Sequence, residues 1–164
     1  MSRGRSWWCW LVLACSATAA PAGEPTREWI RGIYAAESPP PIAADLAHAW
    51  QQASDLAAHT SRAFVLVGAG ESMLPLYAPG TILVLCQRPY AKLKRGQTVL
   101  YRSHAQKVAA HVLVALTRDG WRAQGLNNRG HDMEPVQEGN LVGVVIAAYR
   151  PLQLAIPAGI ARMP

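Results

Sequence analysis

The sequence predicts a mostly β fold with one amphipathic helix toward its N-terminal side. Three observations lead there. Residues 64–67, 81–85, 98–102, 108–116, 121–124 and 141–149 are short runs rich in branched and aromatic side chains. Turn formers separate them, at Pro79-Gly80, Lys94-Arg95-Gly96, Arg118-Asp119-Gly120 and residues 127–130. Ahead of these runs the period changes. Ile42, Leu46, Ala49, Trp50, Ala53, Leu56 and Ala57 recur at three- and four-residue steps, the spacing of a helix with one alanine-rich apolar face over 42–59. Pro41 suits the first turn of that helix, which we read as covering one side of the sheet. Arg118-Asp119-Gly120 between two runs is the turn chemistry of a tight β-hairpin.

The N-terminal segment reads differently. Arg3 and Arg5 give a positive start, residues 7–15 form a short apolar run, and Ala17-Thr18-Ala19 supplies small residues for cleavage. Together these are the parts of a secretory signal over residues 1–19, and the apolar run falls short of the roughly 20 residues a membrane span needs. Two other readings stand beside it: an uncleaved short anchor, and a lipoprotein signal in which Val12-Leu13-Ala14-Cys15 is a lipobox and Cys15 carries the lipid. The expected location is therefore across the inner membrane, periplasmic or extracellular, with membrane anchoring as the alternative. Residues 20–41, with Pro21, Pro25 and Pro39-Pro40-Pro41, read as a linker or extended arm on which Trp29, Ile30, Ile33 and Tyr34 could pack a short helix. Residues 42–150 form the domain and 151–164 a tail.

Without the export segment about 145 residues remain, a usual size for one domain with its own core. The whole chain carries a formal charge of +6, and losing Arg3 and Arg5 leaves 14 of its 16 basic residues against 10 acidic ones. This excess attracts anionic surfaces weakly, and no basic run interleaved with aromatics supports nucleic-acid binding. Once Cys9 and Cys15 are removed, Cys86 is the only thiol left, so an internal disulfide is excluded. At the end of the apolar run 82–85 it reads as a buried, inert thiol. His104, His111, His131 and Asp132 lack metal-ligand spacing, and neither metal nor cofactor is expected. Gly68-Ala69-Gly70 after a strand invites a dinucleotide reading, but Met73 stands where the third glycine belongs and Pro75 and Pro79-Gly80 interrupt the helix that would follow.

Ser72 is more informative. It lies just after a strand, in a glycine-flanked turn closed by Pro75, where a hydroxyl can be presented at the rim of a sheet. A serine needs a base to become a nucleophile, and a lone serine in a turn is ordinarily a local hydrogen-bonding group. Its surroundings add meaning. Gly70-Glu71-Ser72-Met73-Leu74-Pro75 followed by Pro79-Gly80-Thr81-Ile82-Leu83-Val84 resembles the nucleophile motif of the signal peptidase I superfamily. Lys94-Arg95-Gly96-Gln97-Thr98-Val99 is similar to the next block of that family, and His111-Val112 lies where its endoplasmic-reticulum and archaeal type has His-Arg. Gly125-Leu126-Asn127-Asn128 with Asp132 resembles its Gly-Asp-Asn-Asn segment and following aspartate, and Leu141-Val142-Gly143-Val144-Val145 its closing strand. The likeness spans residues 64–149 in family order.

The resemblance implies a signal peptidase-like β-rich catalytic fold and a serine endopeptidase that cleaves peptide bonds after small side chains in exported or precursor proteins. Its substrate would be a protein or peptide, membrane-associated in some cases. Ser72 would be the nucleophile, with Gly70, Met73 and Pro75 as motif support. His111 would be the base, since a neutral imidazole accepts the serine proton and returns it to the leaving amine. Asp132 would orient the imidazole and stabilise its charged form. Lys107 is the rival base, but it follows a polar stretch, and a lysine base must be desolvated to lose its proton near neutral pH. Three departures from the family pattern stand out: Gly70 where some relatives carry a hydroxyl that assists the oxyanion, Leu126 where the family has aspartate, and Gln97 in place of another aspartate. They leave open a noncatalytic peptide-binding module, or a membrane-surface interaction module, derived from the same fold.

Overall fold

A computed structural model of the chain describes residues 28–103 and 107–152. The segment 1–19 expected as an export signal, with Cys9 and Cys15, residues 20–27 of the expected arm, His104, and the tail beyond Leu152 lie outside the described residues. The fold is mostly β.

The described chain opens with β1 (Trp29–Ile30) and β2 (Ile33–Tyr34), paired antiparallel. The short helix expected on these residues is thus a hairpin, and residues 28–41 of the stretch expected as a linker are folded onto the body. The reason is local. Arg31 and Gly32 both take positive φ, 48° and 79°, which matches the twist of a two-residue hairpin turn. Ile30, Ile33 and Ala35 are buried, which holds the hairpin in place. Ser38 is buried too, and its hydroxyl donates to the Gly96 carbonyl at 2.7 Å. The rings of Trp29 and Tyr34 both lie under the Arg95 guanidinium, 5.5 Å from each centroid.

Next comes β3 (Ile42–Ala44), which pairs in parallel with the last strand, β9 (Leu141–Pro151). The helix expected from residue 42 therefore begins later, as α1 (Leu46–His59). Ile42 and Ala44 are committed to the ladder with β9, and Asp45 caps the helix by accepting from the His48 N–H. Pro41 precedes a strand and lies outside the helical first turn.

The remaining strands are β4 (Ala63–Val67), β5 (Ile82–Cys86), β6 (Thr98–Arg102), β7 (Val108–Thr117) and β8 (Gly120–Gln124). Together with β9 they coincide with the six expected runs to within a residue or two. The sheet order is β4-β5-β9-β6-β7-β8, with β3 beside β9. Arg118-Asp119 forms the β7–β8 turn, as Thr117 pairs with Gly120.

Side chains alternate across the sheet and divide its core. On one face Leu83, Leu85, Leu100, Val112 and Val145 pack with Ile30, Ile33, Met73, Tyr77 and Leu126. On the other face α1 lays Ala49 and Ala53 over Ile82, Val84 and Tyr149. Farther along, Val99, Tyr101, Leu113, Ala123 and Val144 are covered by Leu93, Trp121 and Val136. No helix among the described residues is long and apolar enough to cross a membrane. Cys86 is a free, buried thiol.

Candidate active site

Ser72 sits in the long connection between β4 and β5. Its base is pinched shut by two backbone bonds, Gly68 N–H to the Thr81 carbonyl at 2.9 Å and Gly80 N–H to the Gly68 carbonyl at 2.7 Å. Inside the loop, Leu74 N–H donates to Glu71 and Tyr77 N–H to Met73. Met73 and Tyr77 are buried and anchor the loop in the core, and the Tyr77 hydroxyl donates to the Pro39 carbonyl at 2.8 Å. Ser72, between exposed Glu71 and buried Met73, is half-buried.

The opposing wall is β7. His111 pairs with Val99 on β6, so its side chain shares a face with Val99 and, two residues on, with Tyr101. On the other side β8 ends at Gln124, opposite Val112. Among the described residues no strand therefore pairs with β7 at His111 on that side, and the Ser72 turn approaches there. Gly125 continues the chain past β8 and permits this approach: a Cβ on it would lie 2.8 Å from the Ser72 carbonyl oxygen and 2.7 Å from Asn128 Nδ2. The Asn127 N–H donates to that same Ser72 carbonyl at 2.7 Å.

The three side chains singled out in the sequence meet here. Ser72 Oγ lies 3.0 Å from His111 Nε2. His111 Nδ1 lies 2.6 Å from Asp132 Oδ2. The Tyr101 hydroxyl donates to the same carboxylate oxygen at 2.6 Å. Asp132 is carried there by its own N–H, which donates to the Ala123 carbonyl on β8 at 2.8 Å. A carboxylate only accepts, so the proton in the His111–Asp132 bond resides on Nδ1, and Nε2 keeps its lone pair toward Ser72. His111 is 7% exposed, which removes bulk water from most of the imidazole.

No family model and no curated protein matches this chain.

Tyr101 is the neighbour that sequence reasoning missed. Burial first, and then its bond to Asp132, hold its phenol above the ordinary value, so it remains a neutral donor to the carboxylate. Its only sequence signal was the strand alternation that puts residues 99 and 101 on one face. Lys107 is exposed, just ahead of β7, and the group at Ser72 Oγ is the imidazole. Gly70 is exposed, and a Cβ on it would meet no atom within 4 Å. Pro75 is exposed within the turn. Leu126 is 1% exposed and points into the apolar core with Met73. Gln97 is buried and its side-chain oxygen accepts from the Lys94 N–H at 2.9 Å, so it holds the turn before β6. His131 is exposed beside Asp132. Among the described residues no group of three or more His, Cys, Asp or Glu side chains is arranged to hold a metal ion. A cavity of about 390 Å³ opens elsewhere, against Arg88, Lys92, Lys94 and β9, and none of Ser72, His111 and Asp132 lines it.

Proposed function

We propose that this protein is a serine endopeptidase resembling signal peptidase I, which cleaves exported or precursor proteins with Ser72, His111 and Asp132. The observation that carries the reading is the continuous hydrogen-bonded run from Ser72 Oγ through both imidazole nitrogens to Asp132. Its order matches the needs of acyl transfer. His111 Nε2 takes the Ser72 proton as the hydroxyl oxygen attacks the substrate carbonyl carbon. The imidazolium, held by Asp132, then gives that proton to the leaving amine. Water hydrolyses the acyl-enzyme by the same exchange in reverse roles. The developing oxyanion needs donors fixed in advance. Within the turn, the N–H groups of Glu71, Ser72 and Met73 donate to no acceptor among the described residues, which leaves them free for this task. The export signal read in residues 1–19 supports action beyond the inner membrane, on a translocated protein or leader sequence.

A noncatalytic peptide-binding module is the second reading, and Gly70 is the observation in its favour, because no hydroxyl stands there to assist the oxyanion. Incubation with a peptide library separates the two. Wild-type protein is expected to cleave a subset of peptides after small residues. Ser72→Ala and His111→Ala are expected to lose that cleavage by at least about a thousandfold, as removal of a nucleophile or its base does in serine hydrolases. Equal cleavage by wild type and both variants would remove this site from consideration.

A further inference from the structure

We propose that Arg31, at the tip of the N-terminal hairpin, is a positioning residue that holds the Ser72 turn against His111 through Asn127. The role rests on the reading of Ser72 as nucleophile, but the contact chain stands apart from it. The Arg31 guanidinium donates to Asn127 Oδ1 across 96 positions of sequence. The Asn127 N–H donates to the Ser72 carbonyl at 2.7 Å. One residue earlier in that segment Leu126 packs in the cluster that holds Met73, Ile30 and Ile33. Hairpin, Asn127 segment and nucleophile turn are therefore one packed unit, joined by core contacts below and by Arg31 above.

The backbone at Arg31 strengthens the assignment. A residue with a long side chain at φ 48° is uncommon, and the first position of such a turn ordinarily takes Asn, Asp or Gly. An unfavourable backbone that persists at a site points to a side-chain requirement there. The requirement visible here is the long reach of the guanidinium to Asn127. The Ser72 carbonyl also lies close against Gly125, where an added Cβ would come within 2.8 Å of it, so the segment that carries Asn127 bears directly on Ser72. Misplacement of a nucleophile by about 1 Å costs on the order of a hundredfold in rate, and a partial loosening costs less.

The full chain carrying Arg31→Asn tests this, because asparagine suits the turn while it cannot reach Asn127. The variant is expected to unfold at the same temperature as wild type or higher. Amide exchange of Asn127, and of Leu74 and Tyr77 in the turn, is expected to quicken about tenfold, and labelling of Ser72 by a fluorophosphonate to slow by about threefold to tenfold. Arg31→Lys, which keeps a donor of similar reach, is expected to recover part of both. Unchanged exchange at Asn127 and the turn in Arg31→Asn would overturn the proposal, whatever Ser72 does chemically. An exchange change without any labelling of wild-type Ser72 would keep the positioning contact and remove the nucleophile reading instead. Equal loss of stability and protection throughout the fold would assign Arg31 a general structural role and also overturn it.

Discussion

At the residue scale, Tyr101 shows how a neutral side chain sustains a charged one. Its hydroxyl and His111 Nδ1–H both point at Asp132 Oδ2. A hydrogen bond to a charged group is worth about 1.5–3 kcal/mol, so Tyr101→Phe is expected to lower kcat by about tenfold with little change in KM, measured on any peptide the wild type cleaves. Tyr101 also predicts an alkaline response. Its phenol is raised above the ordinary 10.0 by burial and by Asp132, and that of Tyr77 is raised by burial. A raised native value means the folded protein holds these protons more tightly than the unfolded chain. The stability is thus intact below pH 10.0 and declines as pH rises above it, where only the unfolded chain ionises readily. In a spectrophotometric titration, Tyr77 and Tyr101 should release their protons only together with unfolding. Reversible ionisation of all five tyrosines near the ordinary value would contradict this.

At the element scale, the site depends on where β8 stops. Because it ends opposite Val112, the edge of β7 at His111 is left for the Ser72 turn. Gly125 is the residue that makes the fit, since a methyl group there meets backbone oxygen, which cannot swing aside. Gly125→Ala should therefore push the turn from His111 and reduce peptidase activity by on the order of a hundredfold. The sheet should stay intact by circular dichroism. An alanine variant with wild-type kcat would show that the turn tolerates displacement. The same scale explains the expectations that changed. The period of residues 42–59 was helical throughout, yet pairing with β9 claimed Ile42–Ala44. Local periodicity cannot register such a parallel partner, which lies at the other end of the sequence. Trp29, Ile30, Ile33 and Tyr34 gave too few residues to separate a helix from a hairpin, and the decision lay in the positive φ at Arg31 and Gly32.

At the scale of the whole molecule, the hydrogen-bonded chain of Ser72, His111 and Asp132 straddles two parts of the core. Val99 and Leu113 stand on the same face of the sheet as His111, while Met73 and Leu126 belong to the cluster on the other. Leu126 stands where the resemblance to signal peptidase I would put aspartate, but it is sealed among Met73, Ile30 and Ile33. A charge at that depth has no partner, so Leu126→Asp is expected to destabilise the fold by roughly 3–5 kcal/mol in chemical denaturation. A change under about 1 kcal/mol would mean that water or a cation reaches the position. The apolar choice at Leu126 and the donor at Tyr101 belong together: support for Asp132 comes from β6.

The sequence by itself determined the strand-forming runs, their turns and the candidate triad, because these depend on local alternation, on turn chemistry and on a motif order that survives in one dimension. Ser72, His111 and Asp132 were legible as separate residues in a family-like succession. Their contact was expected only through the resemblance, because it depends on the termination of β8, the bare Cα of Gly125 and the return of Asp132 to Ala123. Tyr101 and Arg31 were invisible as site residues for the same reason. Tyr101 reaches Asp132 through strand register, and Arg31 reaches Asn127 across most of the chain. Only the tertiary structure could decide these, since a hydrogen bond is set by distance and direction in space, and sequence separation carries neither.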